Sequence, residues 1–183
     1  TQLESFDRLI ASFPHGQFAT IGILGNHDYG TNWRMPAVAE AITTRAEAHG
    51  VRMLRNEAAV VEGLTIIGLE DLWGPYFTPP PALLAASDAP RLVLCHNPDA
   101  ADHPIWSGYQ GWILAGHTHG GQCKPPFLPP PILPVENPRY TSGEIAVRGE
   151  RRLYISRGVG YLIRARFNAR PEVTEFKLTR APV

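Results

Sequence analysis

Three apolar runs in this chain end in the same way. IGILGNHD (residues 21–28), LVLCHNPD (92–99) and ILAGHTHG (113–120) each pass from apolar residues straight into a turn carrying asparagine, histidine or aspartate. Short apolar runs bounded by turn residues are the pattern of buried strands. A strand that keeps its polar groups for its carboxyl end fits a sheet whose ligands gather along that edge. Three such strands restrict the chain to an α/β fold with a mixed sheet and one shared polar rim.

The intervening segments supply helices and turns for that sheet. Leu3, Phe6, Leu9, Ile10 and Phe13 recur at helical spacing before the break at Pro14 and Gly16, so a helix is expected to open the chain. A second helix is expected from Pro36 to just before Gly50, with Val38, Ala41, Ile42 and Ala46 as its apolar stripe. Residues 18–24 and 51–54 read as strands, and 58–61 with 64–69 as a hairpin turning at Glu62 and Gly63. Short helices are expected at 81–87 and 99–106, another hairpin around Gly149 and Glu150, and a last strand at 172–178. No repeat or linker divides the sequence, so residues 1–183 are read as a single domain.

Charge narrows the partners. Lys+Arg and Asp+Glu both total 17, which leaves no basic footprint for a nucleic-acid backbone. No nucleic acid is therefore expected, and a small-molecule or lipid-sized substrate is favoured. No run approaches the roughly 18 apolar residues of a membrane span. Cys95 and Cys123 are too few for a disulfide framework, and Cys95, one residue before His96 on a strand, is expected to face the core. The proline-rich stretch 124–138 cannot be helix or inner strand. It is expected as an extended rim, where Phe127, Leu128, Ile132 and Leu133 either make a peripheral membrane contact or pack as a lid.

Imidazole and amide groups meeting at one edge are donors for divalent transition metal ions such as Mn, Fe, Zn, Co or Ni. Asn26, His96, His117 and His119 are the candidate metal ligands. His117 and His119, one residue apart among Gly116, Gly120 and Gly121, can address two neighbouring ions if those glycines let the loop bend tightly. Two ions about 3.5–4 Å apart clamp a phosphoryl group and generate hydroxide near neutral pH, which points to phosphoester hydrolysis. His27 sits beside Asn26 without being needed as a ligand, where it can protonate a leaving alkoxide. Asp28 or Asp99 is expected to orient an imidazole or to support the ligands from just behind them. The same side chains also allow a structural zinc site of His96, His117, His119 and Cys123, or a fragment that binds metal or phosphate without catalysis.

GNHD, HNPD and GHTHGGQ resemble three motif blocks of the calcineurin-like metallophosphoesterases. LYISRGVG and RFNARPEV resemble the tail of their YkuE/YaeI-type bacterial phosphodiesterase branch, so the likeness runs from Gly22 to Leu178. The resemblance implies an α/β/β/α sandwich with mixed sheets and a dinuclear metal site. It implies a phosphodiesterase or pyrophosphatase that attacks with metal-bound hydroxide. Asn26, His96 and His117 would then bind one ion, His119 the other, and His27 would be the catalytic imidazole. It also implies an Asp-x-His and a Gly-Asp block ahead of GNHD, yet the 24 residues before Gly25 hold only Asp7 as an aspartate. The chain therefore reads as the C-terminal three-quarters of such a domain without its N-terminal strand-helix unit, or as a chain that lacks those blocks. Because the branch includes membrane-associated enzymes of nucleotide-linked lipids, a lipid-linked phosphoester substrate is one expectation. A location in the cytoplasm or peripheral to the bacterial membrane is the other.

Overall fold

The computed structural model describes residues 2–161 and 163–179. Along them the order is α1 (Gln2–Ile10), β1 (Ile21–Gly22), α2 (Pro36–Ala48), β2 (Arg52–Met53), β3 (Glu57–Val61), β4 (Leu64–Gly68), β5 (Arg91–Leu94), β6 (Trp112–Ala115), β7 (Gly143–Ala146) and β8 (Arg152–Ile155). Six strands form one mixed sheet in the order β3-β4-β5-β6-β8-β7. Its interior pairs β4-β5, β5-β6 and β6-β8 are parallel, and the hairpins β3-β4 and β7-β8 close its two edges antiparallel. β1 and β2 make a separate parallel pair. The fold is thus α/β with a mixed sheet, as the three strand ends require.

Alternation along the parallel strands explains where the core sits. Val93, Ile113 and Leu153 lie in register across β5, β6 and β8, and all three are fully buried. Each such side chain contributes about 1.5–3 kcal/mol relative to an exposed position. A second apolar cluster lies between the helices and the β1-β2 pair, where Leu24, Val51 and Met53 meet Phe6 and Ile10 of α1 and Ala39, Ile42 and Ala46 of α2. Alanines on the buried face of α2 let its backbone approach closely. Gly68 serves the same purpose between the sheets: a Cβ there would lie 2.3 Å from Leu54 Cβ and 2.9 Å from Ile23 Cγ2.

Local chemistry accounts for where the elements begin and end. Glu62 and Gly63 both take positive φ, 48° and 82°, which is the two-residue turn that matches the twist of a hairpin. Pro36 stands at the first position of α2, as its fixed φ favours. The helices expected at 81–87 and 99–106 are only 3-10 turns, Pro81–Leu84 and Pro98–Asp102. The second is set by Asn97, whose side chain accepts from the Asp99 amide and starts a turn too short to become an α-helix. The strand expected at 18–24 pairs only at Ile21 and Gly22, the reach of its short partner β2. Residues 172–178 form no strand, since no ladder partner lies beside them among the described residues.

Candidate metal centre

The carboxyl ends of β1, β5 and β6 converge. Asn26, in a 3-10 turn Asn26–Tyr29 after β1, is buried, and its Oδ1 lies 3.1 Å from His96 Nε2. His96 Nε2 lies 3.2 Å from His117 Nδ1. Gly25 permits this approach, because a Cβ at that position would stand 2.8–2.9 Å from the His96 ring. Three of the four expected ligands thus meet through His96 Nε2.

Tautomers follow from the partners. His117 Nε2 is 2.8 Å from the Pro134 carbonyl, an acceptor only, so Nε2 carries the proton and Nδ1 presents a lone pair to His96. Burial lowers the His96 pKa to about 3 and that of His117 to about 4, with the neighbouring imidazoles adding to the fall at each. At His117 the Pro134 contact and the Asp99 charge oppose it. Both rings are neutral at physiological pH, the form that binds a metal ion.

His119 is held by a different partner. Its Nδ1 is 3.1 Å from Gln122 Oε1, which as an amide oxygen accepts, so Nε2 is left with the lone pair. The loop that carries both histidines is strained at the histidines themselves: φ is 69° at His117, 51° at His119 and 50° at Gln122. Non-glycine residues in this region cost energy and gather at functional sites. Gly120 and Gly121 also have positive φ, as expected, but Gly116 does not. At Gly121 a Cβ would stand 2.4 Å from Pro130, so the glycine also admits the proline-rich segment over the loop.

The two aspartates act on backbone. Asp28 accepts from the Gly25 amide at 2.8 Å and braces the turn that holds Asn26. Asp99 is buried and accepts from the amides of Glu136 and Asn137, at 2.7 and 3.1 Å. These bonds go to backbone amides rather than to an imidazole, the supporting one of the two roles expected for these aspartates. Asp99 instead anchors the end of the proline-rich segment whose Pro134 carbonyl fixes His117. Asp99→Ala is expected to cost about 2–3 kcal/mol in a denaturant melt, the scale for losing charge-assisted bonds to part-buried amides. An unchanged midpoint would show that the segment is held by other contacts.

Around these groups lies a cavity of about 250 Å³, whose lining includes Asn26, His27, His96, His117 and His119 at its polar end. Trp33, Trp73, Ile132 and Ile163 line it on the apolar side. Trp73 places its ring edge-on to His117 at 4.6 Å and stacks on Trp33 at 4.6 Å. Sequence reasoning missed both tryptophans, Gln122 and the Pro134 carbonyl. Only the strained, asparagine-flanked position of Trp33 (φ 57° after Asn32 at 59°) leaves a local trace, and it is conformational. Cys123 lines the same cavity, with its Sγ turned to the Ala165 carbonyl at 3.8 Å, and among the described residues no three of His, Cys, Asp or Glu form a metal-binding group, whether with Cys123 or from the histidines alone.

The arrangement has relatives. The chain is 40% identical over 169 residues to phosphodiesterase YaeI of Escherichia coli, a match that covers 87% of this chain and 58% of that protein. It is 34% identical over 172 residues to the metallophosphoesterase YkuE of Bacillus subtilis, covering 88% and 56%. To the UDP-2,3-diacylglucosamine pyrophosphatase LpxG of Chlamydia trachomatis it is 31% identical over 132 residues, covering 67% and 40%. The chain thus spans less than three-fifths of the length of these relatives. No family model matches it, and no solved structure matches it significantly. On the strength of these relatives, the chain belongs to the calcineurin-like metallophosphoesterases, in the branch of YaeI and YkuE.

Proposed function

We propose that residues 1–183 form one domain contributing the histidine-rich part of a dinuclear metal site, in a protein that hydrolyses a small-molecule phosphodiester or pyrophosphate. Asn26, His96 and His117 would hold one divalent transition ion and His119 would reach a second. The observation that carries this reading is that His96 Nε2 lies 3.1 Å from Asn26 Oδ1 and 3.2 Å from His117 Nδ1. One amide oxygen and two neutral imidazoles are a donor set that fits a first-row divalent ion. For a second ion the described residues offer His119.

When bound, such ions polarise a phosphoryl oxygen and lower the pKa of an attacking water. The chain's own residues do the rest. His27 lines the cavity beside Asn26, where its imidazole can deliver a proton to the departing oxygen. Trp73 and the Pro134 carbonyl hold the His117 ring in orientation. Trp33, Ile132 and Ile163 give the organic part of a substrate an apolar wall and keep bulk water from that side. The names of the YaeI and LpxG relatives, a phosphodiesterase and a pyrophosphatase of a UDP-diacylglucosamine, favour a phosphoester joined to an apolar group.

Chelation tests the reading. Dialysis against a strong chelator is expected to strip the ions and shift the melting midpoint by only a few degrees, because the sheet core does not depend on them. Collapse of the fold on chelation would instead support a structural ion.

A further inference from the structure

Two segments frame the mouth of the cavity. Residues 122–124 and 163–168 are stitched together by the bonds Lys124 N to Phe167 O (2.8 Å), Phe167 N to Gln122 O (2.9 Å) and Gln122 Nε2 to Ile163 O (2.8 Å). From this seam the first segment runs into the proline-rich loop, where Phe127 is completely exposed and Leu128 and Ile132 are more than half exposed. The second segment exposes Val159, Tyr161 and Ile163 to a similar degree. Ile132 and Ile163 also line the cavity, so the apolar rim and the mouth are continuous.

Charge is segregated in the same place. Residues 123–135 and 156–171 contain no Asp or Glu but carry Lys124, Arg157, Arg164, Arg166 and Arg170. Since the whole chain balances 17 basic against 17 acidic residues, the remainder is net acidic. Arg157 pairs with Glu172, and Arg166 is bound by the carbonyls of His119, Arg157, Gly158, Gly160 and Ala169. Lys124, Arg164 and Arg170 remain exposed at the rim.

We propose that this rim, 124–132 with 157–170, docks on a lipid bilayer rich in anionic headgroups and sets the mouth of the cavity at headgroup level. Large apolar side chains at the tips of protruding loops, flanked by cations and free of acids, are the combination that interfacial binding uses: burial of the tips plus attraction to anionic lipid. A protein partner would meet a flatter apolar face, and the proline-rich tip around Phe127 offers none. Docking does not depend on the hydrolytic reading; only the link between docking and substrate access rests on it.

Co-sedimentation of the full chain with vesicles tests the proposal. Binding is expected to phosphatidylcholine vesicles containing about a third phosphatidylglycerol, to weaken with salt, and to be far poorer on phosphatidylcholine alone. Phe127→Ser with Leu128→Ser, and separately Lys124→Glu with Arg164→Glu, should each reduce partitioning by about tenfold or more. The melting curve and the hydrolysis of a soluble phosphodiester by the active protein should not change. Failure to bind anionic vesicles, equal binding to neutral ones, or variants that partition like the parent would overturn docking. So would loss of a concentration-dependent dimer in the variants, which would assign the rim to self-association. Loss of ion binding with vesicle binding intact would count against the hydrolytic reading alone.

Discussion

Replacing His27 with alanine is expected to lower phosphodiester turnover by the active protein about 10²–10⁴-fold, the usual weight of a positioned general acid, while its ion content stays that of the parent. His27 follows Asn26 in the same 3-10 turn, but Asn26 is buried against His96 whereas His27 is exposed on the cavity wall. One neighbour serves the ligand cluster and the other faces the space where a leaving group would sit. A proton delivered only as the bond breaks helps the transition state and not the bound substrate, so kcat should fall with KM little changed. Full turnover in the variant would remove His27 from the chemistry, and a parallel loss of ions would make it a ligand instead.

What was legible in the sequence is tied to what is local. HNPD and GHTHG place their donors within a residue or two of the ends of β5 and β6, and parallel neighbours must bring those ends together, while GNHD follows β1 of the separate β1-β2 pair. The meeting of His96 and His117 is therefore a consequence of topology that motif spacing can announce, whereas Asn26 reaches them through the packing of the β1-β2 pair against the larger sheet. Trp73 and Pro134 act on His117 from loops 44 residues before it and 17 after it. No period or motif encodes such a contact, because it depends on how two irregular segments pack over the sheet edge. The strained φ at His117 and His119 was hidden for the same reason: neighbouring glycines suggested where the bend would fall, and the fold put part of it on the histidines. Residues 172–178 alternate like a strand, yet alternation only makes a strand when another edge is present to pair with it.

His96→Ala is expected to weaken divalent-ion binding by this chain more than about 100-fold, beyond what removing a supporting partner of a ligand costs. His96 is the hinge of the cluster, since its Nε2 is the atom that meets both Asn26 Oδ1 and His117 Nδ1. The variant also leaves space that Gly25 had kept clear, so the fold should tolerate it. In the parent, protons compete with the ion only where they can bind the ligands, and burial holds His96 near a pKa of about 3 and His117 near about 4. Ion affinity through this triad should then stay level from about pH 8 to about pH 5, rather than fading below about 6.5 as it would for solvated imidazoles. Stability of the metal-free chain should behave differently. Unfolded histidines take up protons as the pH falls below 6.5 while the folded ones do not, so these two groups destabilise the fold progressively down to about pH 4 and then 3. Asp71 works in the other direction. Burial raises its pKa to about 6, so the folded carboxyl is protonated before the unfolded one and adds stability as the pH drops from about 6 towards 3.8. Calorimetric titration of an ion across this range separates the two effects: level affinity alongside a falling melting point fits buried, neutral ligands. Affinity that falls steadily below pH 6.5 would mean that the imidazoles are solvated and that the cluster does not exist as described.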